Sequence, residues 1–422
     1  MWAHIGFVTS SVFIGIREYF IYLFTGDQLQ LVKNLAESLV SKNIFYVKIL
    51  QSIAADSKLL CSEAIDYLSS YTDNVAYTPD EIDHEAINIL KERGIQIPDI
   101  PQHSGLVSLV YKGILTKNQH NGKGIPVAIK VRRVGIVKKL AFALDEMQAL
   151  MDFLDWLPSL KVLRLKEMFE ENRISLMEQT DYSIETSNLI TLLALNKNVP
   201  YIVVPFVHSD LVENLQERVI VMDWLNGREL LELREEEKDN YSLVLAKFGI
   251  KCLLFDGVYH GDFHKGNIVF MGNGEDPVIG VIDLGVMGEL DRDTQCCFYE
   301  FFKSIIDKDY ESAIDSLMEG LISPQERVRQ LTDLEKRGLK NNLLNKFKST
   351  LDDYKDLGLE QINDLNHVFK EYDLRFSRSL SKIQLSLAIA EGVNRGLEVE
   401  HPFFQQMQRA CREMFPAALL DI

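Results

Sequence analysis

Two carboxylates and an amide carry the clearest chemistry in this chain. Asp262 and Asn267 stand five positions apart within His260-Gly261-Asp262-Phe263-His264-Lys265-Gly266-Asn267. Asp283-Leu284-Gly285 follows an apolar run from Val278 to Ile282. Upstream, Val127-Ala128-Ile129-Lys130 ends a β-rich run on a lysine. A base, an amide and a carboxylate in that order, with a lysine before them, suit phosphoryl transfer, which needs charge neutralised and reactants positioned more than it needs covalent work. Lys130 would hold phosphate oxygens. Asp262 would accept the proton of an attacking hydroxyl or orient a water. Asn267 and Asp283 would hold Mg2+, a hard ion that takes oxygen ligands and substrate phosphates.

The spacing is that of a kinase catalytic loop, H-R-D-x-x-x-x-N, followed by a D-F-G-type aspartate and preceded by V-A-I-K. Each motif alone has an ordinary explanation, a surface aspartate or a lysine that ends a strand. In kinase order they imply that the chain binds ATP or ADP with Mg2+. Met222-Asp223-Trp224-Leu225-Asn226-Gly227 resembles a kinase hinge, so Met222 and Asp223 are candidate nucleotide contacts. His260 is a candidate support for the loop backbone. His264 is expected to be solvated or packed, and Lys265 either neutralises phosphate or does nothing. A glycine-rich loop registered on Val110 would need glycines where this chain has His103, Gly105 and Ser108. Gly105 and Ser108 remain as candidate phosphate-loop contacts, and only Gly105 lets backbone approach a phosphate unobstructed. After Gly285 the chain reads Val286-Met287-Gly288-Glu289-Leu290, with a helix start near Asp291 and no A-P-E. A protein substrate is therefore disfavoured.

The elements that must position these residues are legible from periodicity. Gln28 to Ser41, Ile44 to Tyr71 and Pro79 to Arg93 read as helices, the last starting at Thr78-Pro79-Asp80-Glu81. Leu106 to Leu115 and Ile125 to Val131 read as a hairpin around Lys117 to Gly122. Leu140 to Leu157 and about Gln179 to Leu195 read as helices, Tyr201 to Val207 and Val219 to Met222 as strands, and the chain from 241 onward as mainly helical. The expected architecture is α+β and bilobal, like a protein kinase: a helical extension over residues 1–100, a small β-rich lobe over 101–225 with inserted helices, and a helical lobe over 226–422. The net charge of −17 argues against a nucleic-acid partner. Lys130, Arg132, Arg133, Lys138 and Lys139 form a local basic cluster, expected mainly as a solvated strand edge. Five cysteines without a C-x-x-C pair fit a reducing, intracellular setting. Ile5 to Phe24 is apolar but broken by Arg17 and Glu18, and reads as an amphipathic or buried helix. Membrane contact stays open, so the chain is expected to be soluble or peripherally attached to a lipid surface; the sequence names no protein partner.

Together these features resemble the UbiB family, the aarF-domain atypical kinases linked to coenzyme Q and other lipid pathways, over roughly residues 35–400. Ser104 to Tyr111 looks like that family's Ala/Ser-rich replacement for the glycine loop. Lys48-Ile49-Leu50-Gln51 matches its K-x-G-Q motif except at Leu50, and Gln179-Thr180-Asp181 matches E-x-D except at Gln179. Ala390-Glu391-Gly392 looks like its C-terminal region. The resemblance implies that Glu185, rather than Glu146, pairs with Lys130, and that Lys48, Gln51 and Asp181 belong to a regulatory segment folding over the nucleotide. It also implies a kinase or ATPase acting beside lipid metabolism. The residues alone leave open a phosphotransferase of the aminoglycoside or choline type, whose loop is also His-Gly-Asp followed by Asn, or a nucleotide-binding scaffold without turnover.

Overall fold

The computed structural model describes residues 4–55, 60–61, 63–64, 67–68, 75–116, 124–157, 165–351, 359–399, 401 and 403–414. They fall into two compact units, residues 1–192 with 205–225, and 193–204 with 226–422.

The first unit holds an antiparallel sheet in the order β1 (Ile95–Gln96), β3 (Ser108–Leu115), β4 (Ile125–Arg132), β6 (Val219–Asp223), with β2 (His103–Ser104) also on β3. β3 and β4 pair over eight positions, placing Lys130 opposite Val110, and β6 places Ile220 on its other side. The turn that joins β3 to β4 lies outside the described residues. One face of this sheet packs Leu109, Tyr111, Val127, Ile129 and Val221 against Ala86, Ile87 and Leu90 of α4 (His84–Glu92). The expected helix start at Thr78 is a separate capped turn, Pro79–Glu81; α4 has its own cap, with the Asp83 carboxylate accepting from Ala86 N. Two capping sequences in succession break the helix because each leaves its cap residue in non-helical backbone.

The helical part of this unit comprises α1 (Ile5–Thr25), α2 (Gln28–Val40), α3 (Phe45–Ala55), α5 (Ile136–Trp156), α6 (Leu165–Glu178) and α7 (Tyr182–Leu195). α6 carries no sharp apolar stripe, and periodicity did not single it out. Phe7, Phe45, Tyr46 and Phe169 close over the α5 stripe of Leu140, Leu144, Met147 and Leu150. α1 is neither buried nor amphipathic in the usual sense: it buries Ser11 and Glu18 beside Phe7 and Ile14, and exposes Phe13, Tyr19, Phe20 and Phe24.

The second unit is mainly helical. β5 (Ile202–Val203), β9 (Pro277–Val281) and β8 (Ile268–Gly272) form a three-stranded sheet, and β7 (Val258–His260) pairs with β10 (Met287–Glu289). The strand expected from Tyr201 to Val207 is thus a correction: Ile202 and Val203 pair parallel to β9, Pro205 follows them, and Val207 makes only an isolated bridge to Met222. Proline cannot donate to a ladder, which ends the strand. α8 (Glu235–Ile250), α9 (Arg292–Ile306) and α10 (Tyr310–Ser316) come before β11 (Ile322–Ser323). α11 (Gln325–Gln330), α12 (Asp333–Leu351) and α13 (Leu359–Lys370) follow, and then β12 (Arg375–Phe376), which pairs with β11. α14 (Arg378–Gly396) and α15 (Phe403–Met414) end the described chain. The entry to this unit is pinned by Arg228, whose guanidinium binds Glu237 and the Tyr241 hydroxyl. Glu237 is 1% exposed, and Arg228 and Arg234 hold its carboxyl well below the usual range. Gly227 has no substitute there, because a Cβ would lie 2.3 Å from Val269 and 2.8 Å from the Phe270 carbonyl.

Candidate functional site

In the first unit β4 delivers Lys130 and α7 delivers Glu185. The Lys130 ammonium lies 2.8 and 2.7 Å from the two Glu185 oxygens and 5.4 Å above the Tyr182 ring. Lys130 is 11% exposed at its side chain and Glu185 3%, so the pair sits largely out of water. Glu146 is engaged elsewhere, accepting from Asn43 Nδ2 at 3.0 Å. Asp181 stands just before α7, and its Oδ1 accepts from the Ser183 amide at 3.0 Å and the Ser183 hydroxyl. It caps the helix that carries Glu185. Gly105 closes a tight β2–β3 turn, donating its amide to the Ser108 carbonyl at 2.9 Å, with Ser108 as the first residue of β3.

Met222 lies opposite Ala128 on β6, and Asp223 ends that strand. The Asp223 carboxylate is taken by His208 Nε2 at 2.9 Å, so its side chain is spoken for within the unit. His208 was not singled out from the sequence; it lies far from any motif. Lys48 lies on α3 and is half-buried. The side chain of Gln51 lies outside the described residues. Leu50 packs among Val32, Ala36, Ala64 and Leu68, in the core of the helical extension.

The two arginines of the basic cluster after β4 turn inward, which corrects the expectation of a solvated edge for them, while Lys138 and Lys139 stay exposed. Arg132 donates to the carbonyls of Thr180 and Glu217. Arg133 is 4% exposed and donates to the carbonyls of Val75 and Ala76, to Glu81 and to the Ser104 hydroxyl. Lys139 pairs with Glu81. Turns and element ends that leave carbonyls unpaired attract cations, and a sequence shows the cations without showing the carbonyls.

In the second unit, His260 ends β7 and ties the loop together. Its Nε2 donates to the Asp283 carbonyl at 2.7 Å, and its Nδ1 accepts from the Asp262 amide at 3.1 Å. These two bonds fix one neutral tautomer. Burial pushes the imidazole pKa below its ordinary value. The Asn267 amide donates to the Asp262 carbonyl at 2.8 Å, which directs Nδ2 inward and leaves Oδ1 as its remaining polar atom. Asp283 Oδ1 accepts from the Gly285 amide at 2.9 Å. His264 Nδ1 accepts from Gly266 N, and its Nε2 stands 3.9 Å from Asp262 Oδ1. Lys265 is exposed. A further support comes from α14: the buried Ser386 hydroxyl donates to the His260 carbonyl at 2.7 Å. A serine on a late helix has no sequence signal that links it to this loop. The residues after Gly285 fold straight back as β10, with Met287 opposite His260, before the Asp291 carboxylate caps α9.

The donors fit magnesium. An amide oxygen that ends one loop and a carboxylate that follows β9 are tied together through His260 and the Asp262 backbone, and a hard cation completes its shell with waters and phosphates. Among the described residues no group of three or more His, Cys, Asp or Glu side chains forms an all-protein metal cage.

Residues 100–317 match the ABC1 atypical kinase-like domain. The chain belongs to this family. Of its curated relatives, an uncharacterised chloroplastic aarF domain-containing protein kinase of Arabidopsis thaliana is 27% identical, over 94% of this chain and 55% of its own length. A probable protein kinase UbiB of Shewanella halifaxensis is 25% identical, over 86% of this chain and 67% of its own. The chain spans about half the length of the Arabidopsis relative. In fold it is similar to Rv3197 of Mycobacterium tuberculosis, solved in complex with erythromycin, with a TM-score of 0.54 at 18% identity, covering 81% of this chain and 85% of that one. The ABC1 and UbiB matches agree with the resemblance read from the motifs, and the fold is kinase-like and α+β.

Proposed function

We propose that this ABC1-family chain is an ATP-dependent phosphotransferase or ATPase that uses Mg2+ and acts in or beside lipid metabolism rather than on proteins. The observation that carries the reading is the double bond of His260, which ties the Asp283 backbone to the Asp262 backbone while Asn267 ties back to Asp262. Three oxygen-bearing side chains of the right chemistry are thereby held on one frame. Bound Mg2+ would neutralise charge on the phosphate oxygens. Asp262, with its carboxylate about a third exposed, is placed to accept a proton from a hydroxyl or to orient a water. Lys130 presents an ammonium whose direction Glu185 sets, and that cation takes phosphate oxygens as a point charge. Gly105 and Ser108 would approach the phosphates along the β2–β3 turn, and the backbone around Met222 and Asp223 would meet the base. The quick return of the chain through β10 supports a non-peptide acceptor, since it leaves no long segment after Gly285 on which a polypeptide could lie. The tie to lipid metabolism rests on the motif resemblance to the UbiB family alone.

The test is Asp283→Asn, which keeps size and hydrogen bonding but removes the charge. Mg-ATP should raise the melting temperature of the parent chain and leave that of the variant unchanged. Equal stabilisation of both proteins would remove Asp283 from the metal site. Turnover is then assayed with a panel of lipid and small-molecule hydroxyl acceptors; exclusive labelling of added polypeptides would overturn the substrate class.

A further inference from the structure

We propose that His264 is a further catalytic residue, and that its imidazole and the Asp262 carboxylate together grip the oxygen of a neutral hydroxyl acceptor. The inference rests on the phosphotransferase reading of the same loop and adds to it the group that orients the attacking oxygen.

The loop first aims both side chains toward the open side. Phe263 is 3% exposed and packs its ring against Phe248 and His260, with centroids 5.1 and 5.2 Å away. The His264 amide donates to the Asp262 carbonyl at 2.9 Å, the i to i+2 bond of a γ-turn centred on Phe263. With the middle residue buried, its two neighbours face outward: the Asp262 and His264 side chains are 31% and 30% exposed. Asn267 braces the turn. Its side-chain amide donates to the same Asp262 carbonyl at 2.8 Å, and its backbone amide donates to the His264 carbonyl at 2.9 Å. The two side chains therefore leave a backbone that is already fixed.

The same turn settles which ring nitrogen carries the proton. His264 precedes the short turn Lys265–Asn267, and its Nδ1 accepts from the Gly266 amide at 3.1 Å. A neutral imidazole whose Nδ1 accepts has its proton on Nε2. Serine or aspartate would accept from that amide equally well, but neither would carry a donor on the far side of a ring. Nε2 stands 3.9 Å from Asp262 Oδ1. That is too long for a direct hydrogen bond and leaves room for one oxygen about 2.8 Å from each atom. Such an oxygen accepts from His264 and donates to Asp262. A hydroxyl or a water does both and keeps a second lone pair for attack. An ammonium has no lone pair to offer Nε2. A neutral amine has one, which the His264 bond consumes. A carboxylate brings no proton and is repelled by Asp262. In the transfer step the gripped oxygen bonds to the γ-phosphorus of ATP, the bond from that phosphorus to the β,γ-bridging oxygen breaks, and ADP leaves with the electron pair. The hydroxyl proton passes to Asp262, and His264 keeps its own proton throughout.

His264→Ser keeps an oxygen for the Gly266 amide and removes the ring donor; His264→Asn keeps both functions at a shorter reach. ATP hydrolysis, with water as the acceptor, is measured for the full chain and both variants. His264→Ser should lower kcat about tenfold or more, with KM for ATP and the melting temperature unchanged. His264→Asn, or imidazole added to His264→Ser, should recover part of the loss. Equal kcat in the parent and His264→Ser, or a loss that only follows a lowered melting temperature, would overturn the inference. A second measurement needs no turnover: binding of Mg-ADP with and without tetrafluoroaluminate, which mimics the phosphoryl group in flight and holds an axial oxygen. Fluoroaluminate should raise the parent's affinity about tenfold more than that of His264→Ser. A parent that binds no Mg-ADP would remove the phosphotransferase reading and this inference with it. Mg-ADP bound with the same fluoroaluminate gain in both proteins would remove His264 alone.

Discussion

Glu185 gives Lys130 what an unpartnered strand lysine lacks, a carboxylate buried with it and aimed by a helix. Removing one member of such a pair leaves the other charge out of water and uncompensated. Glu185→Gln should lower affinity for Mg-ATP by about tenfold, ~1.4 kcal/mol, and lower the melting temperature as well. Titration calorimetry checks the first; equal affinities would show that Glu185 does not set the lysine. His260 sets a pH dependence. Its folded pKa lies below the ordinary value of about 6.5, because burial disfavours the imidazolium. As pH falls below that ordinary value the unfolded chain binds a proton that the folded chain refuses, so stability falls with it; above that value the contribution is fully present. His260→Gln should flatten the stability profile between pH 7 and 5, measured by denaturant unfolding at each pH, and an unchanged slope would assign the dependence to other groups. At this scale the sequence was most informative. Asp262, Asn267, Asp283 and Lys130 stand at fixed spacings, which a sequence displays directly. Ser386, His208 and the inward turn of Arg133 depend on contacts between residues 15 to 126 positions apart, which no local pattern shows.

At the scale of elements, caps and close approaches decide where the chain turns. Asp181 belongs to the family-like E-x-D stretch, and its observed bonds are those of a cap on α7. Asp181→Ala should cost about 1 kcal/mol, and Asp181→Ser should recover most of it. A loss of nucleotide binding without that loss of stability would point to a role beyond capping. Gly227 is under a different constraint, since any Cβ meets β8. Gly227→Ala should destabilise by about 1–3 kcal/mol, the usual cost of overpacking, read as a lower denaturant midpoint. The hairpin of β3 and β4, β6, α4 and α5 were legible because their apolar residues alternate or recur along one face. α6 lacked such a stripe. The run from Tyr201 to Val207 had strand composition, but composition does not say which sheet a strand joins or where a proline cuts it short.

For the whole molecule, the helical extension is not an appendage. Phe7, Phe45 and Tyr46 share one core with Leu140, Leu144 and Met147 of α5, within the same compact unit as the sheet that carries Lys130. Deleting residues 1–55 should uncover that α5 stripe, raise binding of a hydrophobic dye several-fold and promote aggregation; a truncated chain that stays monomeric and binds no more dye would show the extension to be dispensable. The short return from Asp283 to α9 has a consequence for control. Leu284-Gly285-Val286-Met287-Gly288-Glu289-Leu290-Asp291-Arg292-Asp293 contains no serine, threonine or tyrosine, and Thr294, the first hydroxyl after it, is buried and bonded to Asp291. A signalling cascade that writes phosphate onto the strand and turn beyond a metal-binding aspartate finds no acceptor here. The Ser386 hydroxyl, fastened to the His260 carbonyl from a helix more than a hundred residues downstream, is instead the place where the C-terminal region has a grip on the loop.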